Sequence, residues 1–411
     1  MQIVYNLEKP PESFSKSIFL AGPTPRSTEV RSWRPQALEL LEIKKYDGVV
    51  YVPEERPSAK NTVIPENGYP EWEHSVMDKS DLILFWAERD MTLSPEFVAK
   101  LRSAKPEEIS SLKAELKMPA FTTNIEYGLM AHSGKSLFGP IHGDKNQYLG
   151  FVADKFHIPQ CYTLEGMINK ALFEILKDGA LRTGGEREVP LFIWRLRAFQ
   201  NWYQAHKNAG NRLDGAKVEW LSRVRNKPEA IFAFALRPNV FIANENRNKV
   251  NDPVVFRLDI SSIVLYKKSS DIMESEVVLI KEFRTAASTK DGFIWELPGG
   301  SSPYITNPLA VAVEEIREEV GLYIVETDRL RHVASRQMAG TLSAHKSHTY
   351  SVELMDEELE WLKSQKGIPH GSDYPDNPTG ERAYTEVVKL RDIMYNNLVD
   401  FANVGMIRSV L

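Results

Sequence analysis

Unbroken apolar runs of about five residues alternate with amphipathic segments along the first third of the chain. Such short runs are typical of strands that are buried on both faces of a sheet. Four of them predict strands, at residues 17–22, 49–52, 81–86 and 135–139. The segments between them predict helices at residues 32–43 and 70–79, and a turn entering a helix that begins near Phe121. Strands alternating with helices favour an α/β domain with a doubly wound, flavodoxin-like parallel sheet.

The residues that follow the predicted strands lie at one edge of the sheet, formed by the carboxyl ends of the strands. In doubly wound sheets, ligands bind beyond the carboxyl ends of the strands. We therefore expect Gly22, Trp86 and the turn that carries Glu126 to meet at this edge. The charged segment at residues 89–117 is expected to form a loop or helix over the same edge.

The middle of the chain is expected to connect two domains. A predicted helix at residues 164–176 closes the first domain. Two more helices are predicted at residues 194–206 and 217–225, and strands dominate from Ala230 onward. The predicted division is a first domain at 1–180, a helical connector at 181–229 and a C-terminal domain at 230–411.

Residues 295–322 read as a strand, a Pro-Gly-Gly turn and an acidic amphipathic helix. Asn307 followed by proline predicts the start of this helix, and Gly321 is placed to end it in a left-handed cap. Glu315, Glu318 and Glu319 lie three and four residues apart, so they share one helix face. Three carboxylates this close repel one another unless a cation lies between them, and oxygen ligands suit Mg²⁺ or Mn²⁺. The alternative is an acidic helix face exposed to solvent.

Composition narrows the class of protein without naming a function. The chain has 411 residues, of which 42% are hydrophobic and 26% charged, as expected for a soluble protein of two domains. A net charge of −5 without a basic patch argues against nucleic-acid binding. The single cysteine, Cys161, excludes an intramolecular disulfide and suits a reducing cytoplasm. No apolar run is long enough to span a membrane, so we expect a cytoplasmic protein without a membrane partner.

Several short motifs within residues 15–178 resemble the nucleoside 2-deoxyribosyltransferase family. In chain order they are Phe19-Leu-Ala-Gly-Pro-Thr-Pro-Arg, Ser32-Trp-Arg-Pro, Trp72-Glu, Asp81-Leu-Ile-Leu-Phe-Trp, Phe121-Thr-Thr-Asn-x-Glu-x-Gly and Ser133-Gly-Lys. The resemblance implies that Glu126 is the nucleophile at the anomeric carbon and that Glu73 exchanges a proton with the base. It also makes Gly22, Trp86 and Asn124 candidates for contacts with the substrate.

Each of these residues also has a structural interpretation. The alternative for Glu126 is an acid near a helix N-terminus, where the helix dipole stabilises it. Glu73 is equally suited to an exposed helix surface, and Trp86 to the core. An acid that the transferases carry shortly before the nucleophile is missing, because residues 119–121 are Pro-Ala-Phe. This departure favours hydrolysis or an altered substrate over deoxyribosyl transfer. By the same resemblance the substrates are nucleosides or nucleotides, and the chain is expected to form a homo-oligomer.

Residues 300–322 resemble the Nudix box, which implies that the C-terminal domain is an α/β/α Nudix sandwich. The resemblance makes Gly300, Glu315, Glu318 and Glu319 the candidate metal-binding residues for Mg²⁺ or Mn²⁺, with Glu319 also catalytic. Two positions depart from the box, since Thr306 replaces a glutamate and Glu314 replaces an arginine.

Residues 277–300 resemble the ADP-ribose pyrophosphatase-like branch of the Nudix family. By this resemblance Arg284 contacts a phosphate or the terminal ribose, and Glu296 is a further candidate ligand. The alternative for Arg284 is a surface charge at a strand end.

The two resemblances together predict a bifunctional nucleotide-processing enzyme. One domain would cleave an N-glycosidic bond or transfer a base or deoxyribosyl group, and the other would hydrolyse an ADP-ribose-like nucleoside diphosphate-X pyrophosphate with Mg²⁺. Either reaction could come first. The alternative is a deoxyribosyltransferase or N-glycosidase regulated by a catalytically weak Nudix domain that senses a nucleotide.

Overall fold

The computed structural model describes residues 1–27, 29–58, 68–109, 111–112, 115–141, 146–224, 227–324, 327–371, 380 and 382–411. Its contacts divide the chain into two compact units, Met1–Val254 and Val255–Leu411. The predicted domain division at residues 180 and 230 stays a prediction.

The first unit alternates strands with helices, as the apolar runs predict. Its strands are β1 (Gln2–Tyr5), β2 (Ser13–Phe14), β3 (Ser17–Ala21), β4 (Val49–Val52), β5 (Leu82–Trp86), β6 (Asp90–Leu93), β7 (Leu116–Met118), β8 (Ser136–Gly139), β9 (Arg182–Thr183), β10 (Arg212–Val224), β11 (Lys227–Ile242) and β12 (Arg247–Lys249). Its helices are α1 (Arg34–Ile43), α2 (Gly68–Lys79), α3 (Pro95–Ser103), α4 (Pro106–Ile109), α5 (Phe121–Met130), α6 (Gln147–Lys155), α7 (Leu164–Asn169), α8 (Leu191–Trp194) and α9 (Arg197–Asn208).

The central sheet of the first unit has the order β1-β4-β3-β5-β8, with every neighbouring pair parallel. Its side chains alternate between two cores. Leu20 and Leu84 pack with α1 and α7 on one face, whereas Phe19 and Phe85 pack with α2, α5 and α6 on the other. The predicted parallel sheet with helices on both faces is therefore confirmed. Strand order reverses between β3 and β5, which is the switch point where such sheets bind ligands.

A buried ion pair joins the start of β5 to the segment that follows the closing helix α7. Arg182 donates from Nη1 and Nη2 to the two carboxylate oxygens of Asp81, at 2.6 Å each, and neither side chain is accessible to solvent. Asp81 also accepts hydrogen bonds from the backbone N–H groups of Ser17 at 2.9 Å and Leu191 at 2.8 Å. We refer to Asp81 and Arg182 as the buried clasp. It fixes residues 182–191 to the sheet, although their composition is typical of a linker.

Strands β10 and β11 form an antiparallel hairpin. The predicted helix at residues 217–225 is wrong, because residues 217–224 lie in β10 and residue 225 is outside the described residues. The pairing shifts register between Val218 and Trp220 and again after Ser222. Each bulge interrupts the two-residue alternation of a strand, so apolar residues recur at nearly helical spacing.

The charged segment that was expected over the site contains more regular structure than a loop. Strands β6 and β7 pair antiparallel, and helices α3 and α4 lie between them in the chain. The expectation also covers residues 110 and 113–114, which lie outside the described part.

The second unit is built on a mixed sheet. The strands of that sheet are β14 (Ile260–Lys267), β15 (Glu276–Phe283), β16 (Phe293–Glu296), β17 (Gly299–Gly300), β18 (Arg331–Gln337), β19 (Lys346–Glu353), β20 (Pro369–His370) and β21 (Ala383–Lys389). Strand β13 (Val254–Arg257) does not belong to it. Its helices are α10 (Pro308–Glu315), α11 (Asp356–Ser364), α12 (Leu390–Tyr395) and α13 (Phe401–Arg408).

Helices cover both faces of the main sheet, whose path runs β18-β19-β14-β15-β21-β20. Ile263 in β14 packs with Ala312 of α10 on one face. Its neighbour Val264 packs with Ile393 of α12 and Ile407 of α13 on the other. The second unit is thus an α/β/α sandwich.

Within the described ranges, none of the helices has the length and apolar character needed to cross a bilayer.

Candidate active site

A cavity of about 410 Å³ opens at the carboxyl edge of the parallel sheet, where β3 ends. The loop after β3, the first turn of α1, helix α2 and the start of α5 supply its walls. Gly22, Glu73 and Glu126 all line it, so three of the predicted site residues lie together. Gly22 leaves no room for a side chain, because a Cβ there would come within 2.6 Å of the Trp86 carbonyl and 2.7 Å of the Trp33 indole nitrogen.

The two acidic residues of the cavity form a hydrogen-bonded carboxyl pair. Burial, and after it the Glu126 carboxylate, raise the pKa of Glu73 to about 7. Burial also raises the pKa of Glu126, but the Arg34 charge and the hydrogen bond from Glu73 act in the opposite direction. Of the two acids, Glu73 is the one that its neighbour's negative charge shifts toward the protonated form, whereas the Arg34 charge and the hydrogen bond from Glu73 favour the ionised form of Glu126.

Glu126 lies in the second turn of α5, not in the turn before it. The structure corrects that expectation, and it also weakens the helix-dipole explanation, because the dipole acts mainly within the first turn. The helix starts directly after Ala120, which has a left-handed backbone with φ of 61°. This tight entry places the start of α5 in the wall of the cavity.

Two other predicted site residues do not line the cavity. Trp86 is 6% exposed and belongs to the core, with its indole N–H donating to Glu88 at 3.1 Å. The side-chain oxygen of Asn124 accepts a hydrogen bond from Arg89 at 3.0 Å. The interpretation of Trp86 as a core aromatic is the one that the packing favours.

Sequence reasoning missed Arg34, which lines the cavity although only 1% of its side chain is exposed. It also missed Arg26, Tyr69 and Thr122 on the cavity wall. A signal for Arg34 was present, because this arginine sits on the same α1 face as the buried Ala37 and Leu41. A charge on a buried helix face requires partners in the interior.

In the second unit, both predicted ends of the acidic helix are confirmed, and the helix contacts the Pro-Gly-Gly turn. Asn307 caps α10 by accepting from the Leu309 N–H, and Gly321 ends the helical segment with φ of 72°. A Cβ on Gly300 would lie 2.3 Å from the Glu315 carboxylate, so that carboxylate rests against the glycine. The Gly299 N–H donates to Glu319 at 2.7 Å.

The acidic helix differs from the prediction in its last turn. Residues Ile316–Val320 form a π-helical turn, so Glu318 and Glu319 do not follow α-helical spacing from Glu315. The Glu318 carboxylate lies 3.6 Å from Arg317. Thr306, at the position of the family's first glutamate, is exposed.

The carboxylate oxygens of this helix are the type of ligand that Mg²⁺ and Mn²⁺ prefer. Their positions, however, do not fit a metal centre. Across the described ranges, no group of three or more His, Cys, Asp or Glu side chains is placed to hold an ion. Glu319 is 3% exposed and directs a carboxylate oxygen to the Gly299 N–H. In this arrangement the acidic helix does not form a metal site.

Arg284 lies between two acids. Its Nε donates to Glu296 at 2.8 Å, and its Nη2 is 2.9 Å from the buried carboxylate of Glu282. The two residues predicted to contact substrate, Arg284 and Glu296, are thus brought together as an ion pair.

Comparison with known proteins finds similarity among solved structures but none among family models or curated proteins. No protein-family model matches the chain, and no curated protein matches it. Among solved structures, an ADP compounds hydrolase is similar over 48% of this chain and 94% of its own, at 15% identity and a TM-score of 0.30. The NUDIX domain of Shewanella oneidensis NrtR, solved with ADP ribose, is similar over 37% of this chain and 85% of its own, at 11% identity and a TM-score of 0.25. TM-scores this low do not establish a common fold.

Proposed function

We propose that this protein is a bifunctional nucleotide-processing enzyme. Its first unit cleaves the N-glycosidic bond of a nucleoside or nucleotide, and its second unit hydrolyses an ADP-ribose-like nucleoside diphosphate-X. The observation that carries the proposal is the hydrogen-bonded pair of Glu73 and Glu126 in a cavity at the carboxyl edge of the sheet. A protonated acid beside an ionised carboxylate is the combination that glycosidic cleavage through an oxocarbenium-like transition state requires.

In the first step that we propose, a carboxylate oxygen of Glu126 attacks the anomeric carbon of the sugar. The bond between that carbon and the base nitrogen breaks, and its electron pair leaves with the base. Glu73 supplies the proton that the departing base takes up. The products of this step are the free base, a glycosyl ester on Glu126 and an ionised Glu73.

In the second step, a water molecule attacks the anomeric carbon of the ester. Glu73 accepts a proton from this water, and the Glu126 carboxylate leaves. The sugar is released, and both carboxyl groups return to their starting protonation states. A second base in place of water would turn hydrolysis into base exchange, and the absence of an acid at residues 119–121 favours water.

For the second unit we propose hydrolysis of the pyrophosphate; the Mg²⁺ or Mn²⁺ that the Nudix resemblance implies belongs to this proposal, although the described carboxylates do not converge on an ion. The support is the contact of Glu315 and Glu319 with the Gly299–Gly300 turn, together with the Nudix-like pattern of the sequence.

A second candidate is that this unit senses a nucleotide without cleaving it. The observation that favours it is that the carboxylates of the described residues do not converge as a set of metal ligands. Departures at Thr306 and Glu314 favour the same candidate.

The test is product chromatography after incubating the full chain with Mg²⁺ and NAD, ADP-ribose, nucleoside monophosphates or deoxynucleosides. Glu126→Gln and Glu319→Gln are compared with the exposed matched controls Glu39→Gln and Glu357→Gln. We expect Glu126→Gln to abolish release of free base and Glu319→Gln to abolish release of AMP, while both controls behave as wild type.

The outcomes separate the candidates. Free base without AMP, combined with saturable ADP-ribose binding, would favour the sensor. Release of AMP alone, with every base–sugar bond intact, would overturn the glycosidase assignment. Gly300→Ala offers a second probe, because it displaces the Glu315 carboxylate, whereas Gly340→Ala only brings its Cβ to 3.6 Å from Gln337.

A further inference from the structure

We propose that Arg34 is a positioning residue for the carboxyl pair: it holds the loop after β3 in place and sets which of the two acids carries the negative charge. The inference rests on the proposed function of the first unit, because it explains why Glu126 is the nucleophile and Glu73 the acid.

The contacts of Arg34 account for the first part of this role. Its Nε donates to the Leu20 carbonyl at 3.1 Å, and its Nη2 donates to the Gly22 carbonyl at 2.6 Å. Its Nη1 donates to the Thr24 hydroxyl at 3.2 Å and to the Glu54 carboxylate at 2.6 Å. These partners belong to the end of β3, the loop that lines the cavity and the second residue after β4. One guanidinium thus joins two neighbouring strands at the ligand-binding edge.

The second part follows from burial of the charge. Arg34 is withdrawn from water, so its field reaches the neighbouring acids with little screening. Its positive charge interacts with both Glu126 and Glu73. For Glu126 the Arg34 charge is the largest influence that favours ionisation, and His74 adds to it. For Glu73 the neighbouring Glu126 carboxylate outweighs Arg34 and favours the protonated form.

Other charged and titratable residues lie near the carboxyl pair and also affect its titration. Arg26 and Tyr69 line the same cavity, and Glu54 is the acid paired directly with Arg34. Glu54 therefore cancels part of the Arg34 field at the carboxyl pair. Removing the charge of Glu54 while keeping its shape is expected to act in the direction opposite to removing the charge of Arg34.

The experiment is an NMR titration of the full chain labelled with ¹³C at the glutamate carboxyl carbon. The signals of the pair are assigned with Glu73→Gln and Glu126→Gln. In Arg34→Met we expect the lower titration of the pair to move up by about 1 to 3 pH units, the range for loss of a nearby opposite charge. In Glu54→Gln we expect it to move down, because the amide can still accept from Arg34 but no longer offsets its charge.

Two further readouts separate charge from structure. Arg34→Lys keeps the charge but loses the fork of donors, so we expect a titration close to wild type with a lowered kcat for base release. The acidic limb of the kcat/KM profile should follow the NMR titration in each variant. A purely structural arginine would change melting temperature and kcat without opposite shifts in Arg34→Met and Glu54→Gln.

An unchanged titration in folded Arg34→Met would overturn the proposal. If that variant does not fold, Glu54→Gln decides, and a titration that stays in place or moves up would overturn it. Failure of the proposed function is recognised separately: wild type would then release no base from any substrate, while the titrations still report on Arg34.

Discussion

Replacing Arg182 by methionine is expected to destabilise the first unit more than any exposed ion-pair substitution in it. The change removes the guanidinium of the buried clasp and leaves the Asp81 carboxylate without its cation. Asp81 would retain only the N–H groups of Ser17 and Leu191 and the Ser17 hydroxyl. Methionine has a comparable length, so the substitution tests the charge and its hydrogen bonds rather than the volume.

The expected loss is about 3–5 kcal/mol in the free energy of unfolding, the range for breaking a buried pair by removing one partner. The contacts of Arg182 justify that range. Besides the two bonds to Asp81, it donates to the carbonyls of Val189 at 2.8 Å and of Ser15 and Ala180 at 3.2 Å each. Methionine supplies none of these donors, and Val189 is fully buried.

Urea denaturation followed by tryptophan fluorescence measures this loss, because Trp33 and Trp86 are buried in the core of the first unit. We expect the midpoint of that transition to fall by about 1 M or more. Arg56→Met is the matched control, since Arg56 also makes a bidentate pair, with Glu8 at 2.6 and 3.0 Å, but at the surface. Its effect should be far smaller, because exposed pairs contribute little.

Equal effects of Arg182→Met and Arg56→Met would refute the reasoning, because burial is the property in which the two pairs differ. A midpoint unchanged in both variants would refute it as well. It would mean that the clasp contributes no net stability once desolvation of its charges is included.

Two more predictions concern the carboxyl pair and the end of the acidic helix. Because the pKa of Glu73 is raised to about 7 on folding, the stability it contributes is present at low pH and lost as pH rises through 7. Glu73→Gln, but not the exposed Glu71→Gln, should flatten this decline in melting temperatures measured from pH 5 to 8. Gly321→Ala should cost at least the 1–2 kcal/mol of a left-handed residue, because its Cβ would also meet the His370 ring at 2.7 Å. Gly367→Ala, with φ of 80° and an open surrounding, should show the backbone cost alone in the same thermal melts.

The parallel sheet could be predicted because its strands are buried on both faces. A strand in that environment needs apolar residues at every position, and β4 matches its predicted bounds for this reason. Hairpin β10–β11 could not be recognised in the same way, since β10 is half exposed and carries bulges. Polar and apolar residues do not alternate regularly along β10. The spacing of its apolar residues alone therefore does not distinguish a strand from a helix.

The candidate site could be predicted only in part. Gly22 follows from its position at a strand end, whereas Glu73 and Glu126 follow from the resemblance of their motifs to the nucleoside 2-deoxyribosyltransferases. The buried partners of Arg34 could not be predicted, because they come from three separate segments of the chain. The π-helical turn after Glu315 has no recognisable signal in local composition.

The separation of the two halves of the clasp has a consequence for biosynthesis. Asp81 and Arg182 are 101 residues apart in the chain. At about 5–20 residues per second, a ribosome needs roughly 5 to 20 s to supply the arginine after the aspartate. During that interval the first strands are already made, but the carboxylate at the start of β5 lacks its cation and remains hydrated. The nascent sheet therefore cannot reach its final packing until residues 182–191 have emerged, and ribosome stalling before that point would leave it open to chaperones.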